Sequence, residues 1–379
     1  MEKFDYQLPI RIHFGQGRME ETLKTELDRY GKTVMLAFGG HALKATGLYD
    51  RLIKILKDAG KNVIDFEGIM PNPTYAKAQE GARIARENHV DLILAAGGGS
   101  VADCCKVISA QACLDKDIWD YEYEEHQLPQ KFIPYGAIVT ASGTGAEENN
   151  GAVITNEEKH LKSPLLGALA EFVILDPDLT KTVPQKQVIS GAFDTLSHAM
   201  ETYFGKPDEL NVSDDINEAI QRNIIRNIRL IVADPNNDTA RSELMWDSAM
   251  AENGILKTGK ITDFQCHMIE HQLGAYTNCN HGQGLAVLHT TYYKHVYKSA
   301  LEKFTRWTRN VWQENTAEEG IEALHSFIKE IGMPTSLHEM GITLDAETRK
   351  AIAETTIITA GCPKKLRPTE IEQILVEAE

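Results

Sequence analysis

The chain has 379 residues, which is long for a single hydrophobic core and predicts about two domains. Hydrophobic residues make up 42% and charged residues 25%, as is usual for a soluble globular protein. The net charge of -16 argues against general nucleic-acid binding and against docking on an anionic membrane. The sequence shows no membrane span, no signal peptide and no CxxC pair among its six cysteines, so we expect reduced thiols and a cytoplasmic protein.

The first half of the chain alternates short β-rich runs with helical periods. Helices are predicted at Leu43–Ala59 and Tyr75–Asn88. Strands are predicted at six places: Thr33–Phe38, Asn62–Phe66, Asp91–Ala96, Ile133–Thr140, Ala152–Thr155 and Phe172–Leu175. This rhythm predicts an α/β domain whose parallel sheet is covered by helices on both faces.

The sequence pattern changes after about Thr180, and no strong strand signal occurs beyond it. Val183 and Pro184 look like the start of a helix. Helical periods follow at Gln185–Phe204, Asp214–Val232, Arg241–Leu256 and Asp263–Ala275, with several more to the end. We therefore predict an N-terminal α/β domain over residues 1–180 and an all-helical C-terminal domain over residues 181–379.

Three glycine-containing turns each follow a predicted strand. They are Gly39-Gly40, Gly97-Gly98-Gly99-Ser100 and the segment Thr140–Gly145. Any one of them is equally well explained as a simple tight turn. In an open parallel sheet, however, the carboxyl ends of the strands share one edge, where ligands bind. A glycine turn that leads into a helix also offers unpaired N–H groups to a phosphate, so the three turns together favour a nucleotide site.

The helical half contains acidic and histidine residues at helical spacing. Asp194 and His198 are four apart, His267 and His271 repeat that spacing, and His281 follows after a short loop. A histidine on a helix is usually structural, but two such pairs and a third histidine suit Zn²⁺ or Fe²⁺. The spacing does not choose the ligands, since both His267 and His271 could bind, or only one. Met268 stands where an HExxH motif needs its glutamate, so a zinc peptidase is unsupported.

Taken together, the motifs resemble the iron-containing (group III) alcohol dehydrogenase family over nearly the whole chain, within it the NADPH-dependent butanol dehydrogenases and broad aldehyde reductases. The segments that carry the resemblance are Phe14–Gly17 (FGQG), Pro71–Thr74 (PNPT), Gly97–Lys106 (GGGSxxDxxK), Ser142–Glu147 (SGTGAE), Leu175–Pro177 (LDP), Asp194–His198 (DTLSH), His267–Ala275 (HMIEHQLGA) and His281-Gly282.

The resemblance implies a dinucleotide-binding α/β domain, a helical metal-binding domain and a homodimer. It implies that Asp194, His198, His267 and His281 bind the metal, with Fe²⁺ the first choice and Zn²⁺ the second. His271 falls where the family keeps a nearby histidine that is not a ligand, and we predict that it is catalytic. The predicted cofactor-binding residues are Gly39, Gly40, His41, Asn72, Gly97, Gly98, Gly99, Ser100, Asp103, Thr140, Ser142, Thr144 and Lys162.

The turn after the first predicted strand bears on the cofactor. A site that prefers NAD(H) usually places a carboxylate there, to bind the ribose 2′-OH and repel a 2′-phosphate. Residues 39–44 contain no Asp or Glu, and Lys44 either adds positive charge or is a surface lysine without a role. We therefore predict NADP(H) over NAD(H); the alternative is a turn that tolerates both cofactors.

The predicted function is metal-dependent hydride transfer between NADP(H) and a small primary alcohol or aldehyde. Two related activities are the alternatives: a lyase of the dehydroquinate synthase type and a polyol oxidoreductase of the glycerol dehydrogenase type. The lyase would need a basic pocket for a phosphorylated substrate, and the sequence near the metal motif shows no clear trace of one. A non-enzymatic protein that is merely stabilised by a metal is the third reading.

Overall fold

The computed structural model describes residues 1–379 and divides them into two compact units. One unit comprises Leu8–Pro184, and the other comprises Gln185–Glu379 together with Met1–Gln7. The predicted division at residue 180 had assigned the first seven residues to the N-terminal domain instead. They join the helical unit because Glu2 N–H donates to the carbonyl of Gly259 at 2.9 Å. None of the helices combines the length and the apolar character needed to cross a membrane.

The Leu8–Pro184 unit contains a six-stranded parallel sheet, which confirms the predicted fold class. Its strands are β1 (Arg11–Phe14), β2 (Thr33–Phe38), β3 (Asn62–Phe66), β4 (Leu92–Gly97), β5 (Tyr135–Val139) and β8 (Phe172–Leu175). The order across the sheet is β1-β8-β5-β4-β2-β3. Most of these strand residues are buried and apolar, as expected of a parallel sheet covered on both faces.

One predicted strand lies outside the large sheet, and two strands were missed. The strand predicted at Ala152–Thr155 does not join the large sheet but forms a separate antiparallel pair of β6 (Gly151–Asn156) with β7 (Leu161–Leu166). Neither β7 nor β1 was predicted. Lys162 and Pro164 within β7 weaken its β pattern, and β1 is a four-residue edge strand held only by β8.

Six helices accompany this sheet. The single helix predicted at Leu43–Ala59 is wrong, because the chain breaks at Gly47, whose φ of 75° is left-handed. The helices are α1 (Met19–Leu27), α2 (Ala42–Ala45), α3 (Leu48–Asp58), α4 (Tyr75–Glu87), α5 (Gly99–Gln111) and α6 (Ile118–Tyr123).

The second unit is helical, as predicted. The helix predicted to end at Leu256 ends at Glu252, and Gly254, with a φ of 91°, separates it from a short 3₁₀ turn. Phe204 stacks on Phe304 with ring centroids 3.9 Å apart in its aromatic core. The helices are α7 (Gln185–Tyr203), α8 (Val212–Ala233), α9 (Asp238–Glu252), α10 (Gln265–Thr277), α11 (His281–Val296), α12 (Leu301–Trp307), α13 (Ala317–Glu330), α14 (Ala346–Thr355) and α15 (Pro368–Glu377).

Candidate active site

The predicted glycine turn at Gly97–Ser100 joins a buried strand directly to a helix. Strand β4 ends at Gly97, Gly98 is the N-cap and α5 begins at Gly99. The first N–H groups of α5 have no partner within the helix, and the helix dipole adds partial positive charge there. The sequence therefore produces the backbone arrangement that binds phosphate in many nucleotide sites.

The second predicted turn lies against the first. Thr140 N–H donates to the carbonyl of Gly97 at 2.9 Å. A Cβ atom added to Gly99 would lie 2.3 Å from Thr144 Oγ1, so only glycine permits this approach of the two turns. The structure thus brings Gly97–Ser100 together with Thr140 and Thr144.

The third turn completes this edge of the sheet. From β2 the chain moves outward to β3, whereas from β4 it moves in the other direction to β5, so the strand order reverses between β2 and β4. Gly39 and Gly40 follow β2, which pairs directly with β4. In open α/β sheets ligands bind outside the carboxyl ends of the strands at such a reversal point.

Three of the predicted cofactor residues lie around the β6–β7 hairpin. Asp103 Oδ2 accepts a hydrogen bond from Val153 N–H at 2.9 Å, and Asp103 Oδ1 lies 3.3 Å from Nζ of the fully buried Lys106. Lys162 stands opposite Thr155 in the register, and Asn72 immediately precedes Pro73, whose carbonyl accepts from Thr155 N–H. The Asp103 carboxylate therefore anchors α5 to the hairpin.

The helical unit brings the predicted metal residues together. Helix α7 places Asp194 and His198 one turn apart, α10 carries His267, and His281 begins α11. Asp194 Oδ1 lies 3.4 Å from His281 Nε2, 3.5 Å from His267 Nε2 and 3.8 Å from His198 Nε2. The His198 and His267 rings stack with centroids 4.5 Å apart. One carboxylate oxygen and three imidazole nitrogens thus converge on one position.

Two buried glutamates that the sequence analysis missed orient this cluster. Glu201 on α7 accepts a hydrogen bond from His267 Nδ1, and Glu270 on α10 pairs with His281 Nδ1. Each bond turns the Nε2 atom of its histidine toward Asp194, as in the carboxylate–histidine–metal arrangement of many metal sites. Both glutamate side chains are fully buried. A glutamate within an otherwise apolar helical segment was the signal that the sequence offered for them, but the sequence does not show which residues they contact.

The chemistry of the cluster fits a divalent cation. Asp194 Oδ1 and His267 Nε2 are buried and have no hydrogen-bond partner, a costly state for polar atoms that face each other. Burial alone would raise the pKa of Asp194, but His198, His281 and His267 hold it well below its usual range. Burial opposes protonation of His267, whereas Glu201 and Asp194 raise its pKa to about 10. The site therefore favours positive charge at its centre, and its nitrogen and oxygen donors suit Fe²⁺ or Zn²⁺.

Comparison with known families decides what kind of protein contains these two sites. The model "Iron-containing alcohol dehydrogenase" matches residues 9–177, and "Fe-containing alcohol dehydrogenase family, C-terminal" matches residues 188–378. The chain belongs to the iron-containing alcohol dehydrogenase family. The resemblance drawn from the sequence motifs is thereby confirmed.

Individual members of the family are similar over almost the whole chain. NADH-dependent butanol dehydrogenase A of Clostridium acetobutylicum is 36% identical over 99% of this chain and 98% of its own. NADPH-dependent aldehyde reductase YqhD of Escherichia coli is 31% identical over 90% of both chains. The crystal structure of NADH-dependent butanol dehydrogenase A from Thermotoga maritima superimposes with a TM-score of 0.94 at 30% identity, covering 100% of this chain and 99% of that one.

His271, which we predicted to be catalytic, lies beside the cluster of Asp194 and the three histidines. Its ring centroid is 5.6 Å from that of His281 and 6.1 Å from that of His267. Glu270, His271 and His281 form a second group whose atoms are close enough to hold a cation. In that group, however, Glu270 already pairs with His281 Nδ1, whereas Asp194 Oδ1 in the first group has no hydrogen-bond partner.

Proposed function

We propose that this member of the family is a metal-dependent, NAD(P)-linked alcohol dehydrogenase or aldehyde reductase that acts on small primary alcohols and aldehydes. The convergence of Asp194 Oδ1 with three imidazole nitrogens is the observation that carries the proposal. The relatives named butanol dehydrogenase and aldehyde reductase support a small substrate of this class.

In this proposal Asp194, His198, His267 and His281 hold the metal. When bound, the metal supplies Lewis-acid polarisation of the substrate oxygen. Glu201 and Glu270 keep His267 and His281 in the orientation that binding requires, because each accepts the proton on Nδ1.

The nicotinamide cofactor carries the hydride. We assign its pyrophosphate to the N-terminus of α5, where Gly97–Ser100 lies against Thr140 and Thr144. NADP(H) is favoured by the absence of a carboxylate from residues 39–44, although relatives are named for each of the two cofactors.

We assign His271 the role of a proton relay rather than a ligand. Its ring lies 5.6 Å from that of His281, close enough for contact with a substrate bound beside the cluster. The variant His271→Ala should keep its metal, lose most turnover and change the pH profile of kcat/KM. Loss of metal in parallel with activity would instead make His271 a ligand.

The direct test uses purified protein loaded with Fe²⁺ or, separately, with Zn²⁺. Oxidation of NADPH and of NADH is followed with a panel of short aldehydes, and the reverse reaction with the matching alcohols. We expect saturable turnover that chelation abolishes and metal restores. A fully loaded protein that binds nicotinamide cofactor yet reduces none of these aldehydes would refute the proposal.

The homodimer implied by the family is a separate proposal. Light scattering on the purified protein should give about twice the chain mass of 42.2 kDa. A mass equal to that of one chain would contradict it.

A further inference from the structure

An ion pair stands beside the first glycine turn of the sheet edge. Nζ of Lys44 on α2 contacts a carboxylate oxygen of Glu67, which directly follows β3. Both side chains are about half exposed, at 44% and 58%, and so are accessible to a ligand. The ammonium group of Lys44 lies over Phe38 and Tyr49, with Nζ 5.4 Å and 5.3 Å from the two ring centroids.

Backbone hydrogen bonds fix Glu67 at this turn. Gly68 N–H donates to the carbonyl of Gly39 at 3.0 Å, and Ile69 N–H donates to the carbonyl of Phe38 at 3.2 Å. The segment after β3 is therefore tied to the turn after β2, although the two are far apart in sequence. The Lys44 ammonium, with a smaller effect of His41, lowers the pKa of Glu67, which keeps that carboxylate ionised at neutral pH.

The position of this pair along the sheet edge matches one end of a dinucleotide. A pyrophosphate bound at the N-terminus of α5, as proposed above, would lie at the end of β4, and β2 and β3 are the next two strands on one side. Neighbouring strands are about 4.8 Å apart, so the ends of β2 and β3 lie roughly 5 and 10 Å away along the edge. That span corresponds to the distance from the pyrophosphate to the 2′ position of an attached ribose.

We propose that the Lys44–Glu67 pair reads the 2′ substituent of the adenosine ribose and so sets the preference between NAD(H) and NADP(H). Glu67 accepts a hydrogen bond from the 2′-OH of NAD(H) and repels a 2′-phosphate. Lys44 neutralises Glu67 in the free protein and pairs with the 2′-phosphate of NADP(H). The inference deepens the proposed function, on which it rests, by naming two residues that distinguish its two possible cofactors.

The pair modifies the sequence argument for NADP(H). Residues 39–44 contain no carboxylate, but folding supplies one from the end of the neighbouring strand. A single charge in this exposed position has a moderate effect, because water and salt screen it. We therefore expect changes in preference of about tenfold per variant rather than absolute specificity.

The experiment measures binding of ADP-ribose and of 2′-phospho-ADP-ribose by titration calorimetry at low ionic strength. Neither compound carries a nicotinamide, so the readout does not depend on turnover or on the metal. Relative to the wild type, Glu67→Gln should raise the ratio of affinities in favour of the 2′-phosphate by about tenfold. Lys44→Met, which retains the apolar stem, should lower that ratio by about tenfold. The ratio of kcat/KM for NADPH over NADH should change in the same directions.

Glu87→Gln is the matched control, because Glu87 is an exposed carboxylate of the same unit that pairs with Arg83 on α4. It removes the same charge away from the turn and should leave the ratio unchanged. Ratios within about twofold of the wild type in both Glu67→Gln and Lys44→Met, with both compounds bound, would overturn the inference alone. Failure of the wild type to bind either compound would overturn the proposed cofactor site and the inference with it.

Discussion

The cluster of Asp194 and the three histidines is formed by side chains, whereas the glycine turns of the sheet edge are formed mainly by backbone. The cluster consists of side chains from α7, α10 and α11, and buried carboxylates orient two of its three histidines. The sheet edge consists mainly of backbone at the ends of β2, β4 and β5, where Gly99 permits two turns to touch. We therefore expect function at the cluster to depend on which side chains are present, and function at the sheet edge to depend on the absence of a side chain at Gly99.

The largest effect is expected from removing a side chain of the cluster. His267→Ala should lose bound metal and at least about 1,000-fold in kcat/KM, which corresponds to about 4 kcal/mol. Metal content is measured by mass spectrometry on protein that has been loaded and desalted. Full metal occupancy with normal turnover in this variant would show that His267 is not a ligand.

A smaller effect is expected from changing Glu201, which contacts a histidine of the cluster but is not itself a proposed ligand. Glu201→Gln keeps the size of the side chain but removes the charge that faces His267 Nδ1. Metal affinity should fall by about 10- to 100-fold, as is typical when a residue that orients a ligand is changed. Affinity is measured by competition with a chelator, and Glu243→Gln, which changes an exposed glutamate on α9, is the control. Unchanged affinity in Glu201→Gln would limit Glu201 to a structural role.

At the sheet edge, addition of one methyl group should be enough to weaken cofactor binding. In Gly99→Ala the new Cβ would lie 2.3 Å from Thr144 Oγ1, so the two turns must move apart. We expect about tenfold weaker binding of ADP-ribose, or about 1.4 kcal/mol, with metal content unchanged. Gly151→Ala is the control, because its Cβ would meet only Asn149 Oδ1 at an ordinary 3.6 Å. Equal binding by the Gly99→Ala and wild-type proteins would remove this turn from the cofactor site.

The smallest effect on the reaction is expected from a buried carboxylate that lies outside the cluster. Asp247 accepts hydrogen bonds from Asn223 at 2.9 and 3.0 Å, and burial raises its pKa to about 7, in contrast to the lowered pKa of Asp194. An unfolded aspartate has a pKa of about 3.9, so the folded state binds more protons between these two values. The free energy of unfolding should therefore fall as the pH rises from about 4 to about 7.

The measurement compares Asp247→Asn with the wild type in urea unfolding across that pH range. The wild type should lose up to a few kcal/mol relative to the variant, at about 1.4 kcal/mol per pKa unit, while kcat/KM stays unchanged. Parallel stability curves for the two proteins would mean that Asp247 is already ionised at low pH.

Local pattern was sufficient for much of the fold. The apolar run at Thr33–Phe38 is a strand with the predicted bounds, because a buried parallel strand needs an apolar run of that length. Asn62–Phe66 also has the predicted bounds, but it is an edge strand in which only Phe66 is fully buried. The break at Gly47 and the pairing of β6 with β7 were not predicted. The break depends on a left-handed conformation at Gly47, which lies inside a segment with helical apolar spacing. The pairing of β6 with β7 depends on tertiary contacts that decide which strand lies next to which.

The sequence by itself determined the family, through the spacing of its glycine turns and of Asp194, His198, His267 and His281 along the chain. Such motifs are local, because a turn or a helical repeat of four fixes neighbouring positions. Only the tertiary structure decided that Glu201 orients His267, that Glu270 orients His281 and that Glu67 stands beside Gly39 and Lys44. These contacts join residues on different elements, and the packing of those elements, rather than any local periodicity, brings them within hydrogen-bonding distance.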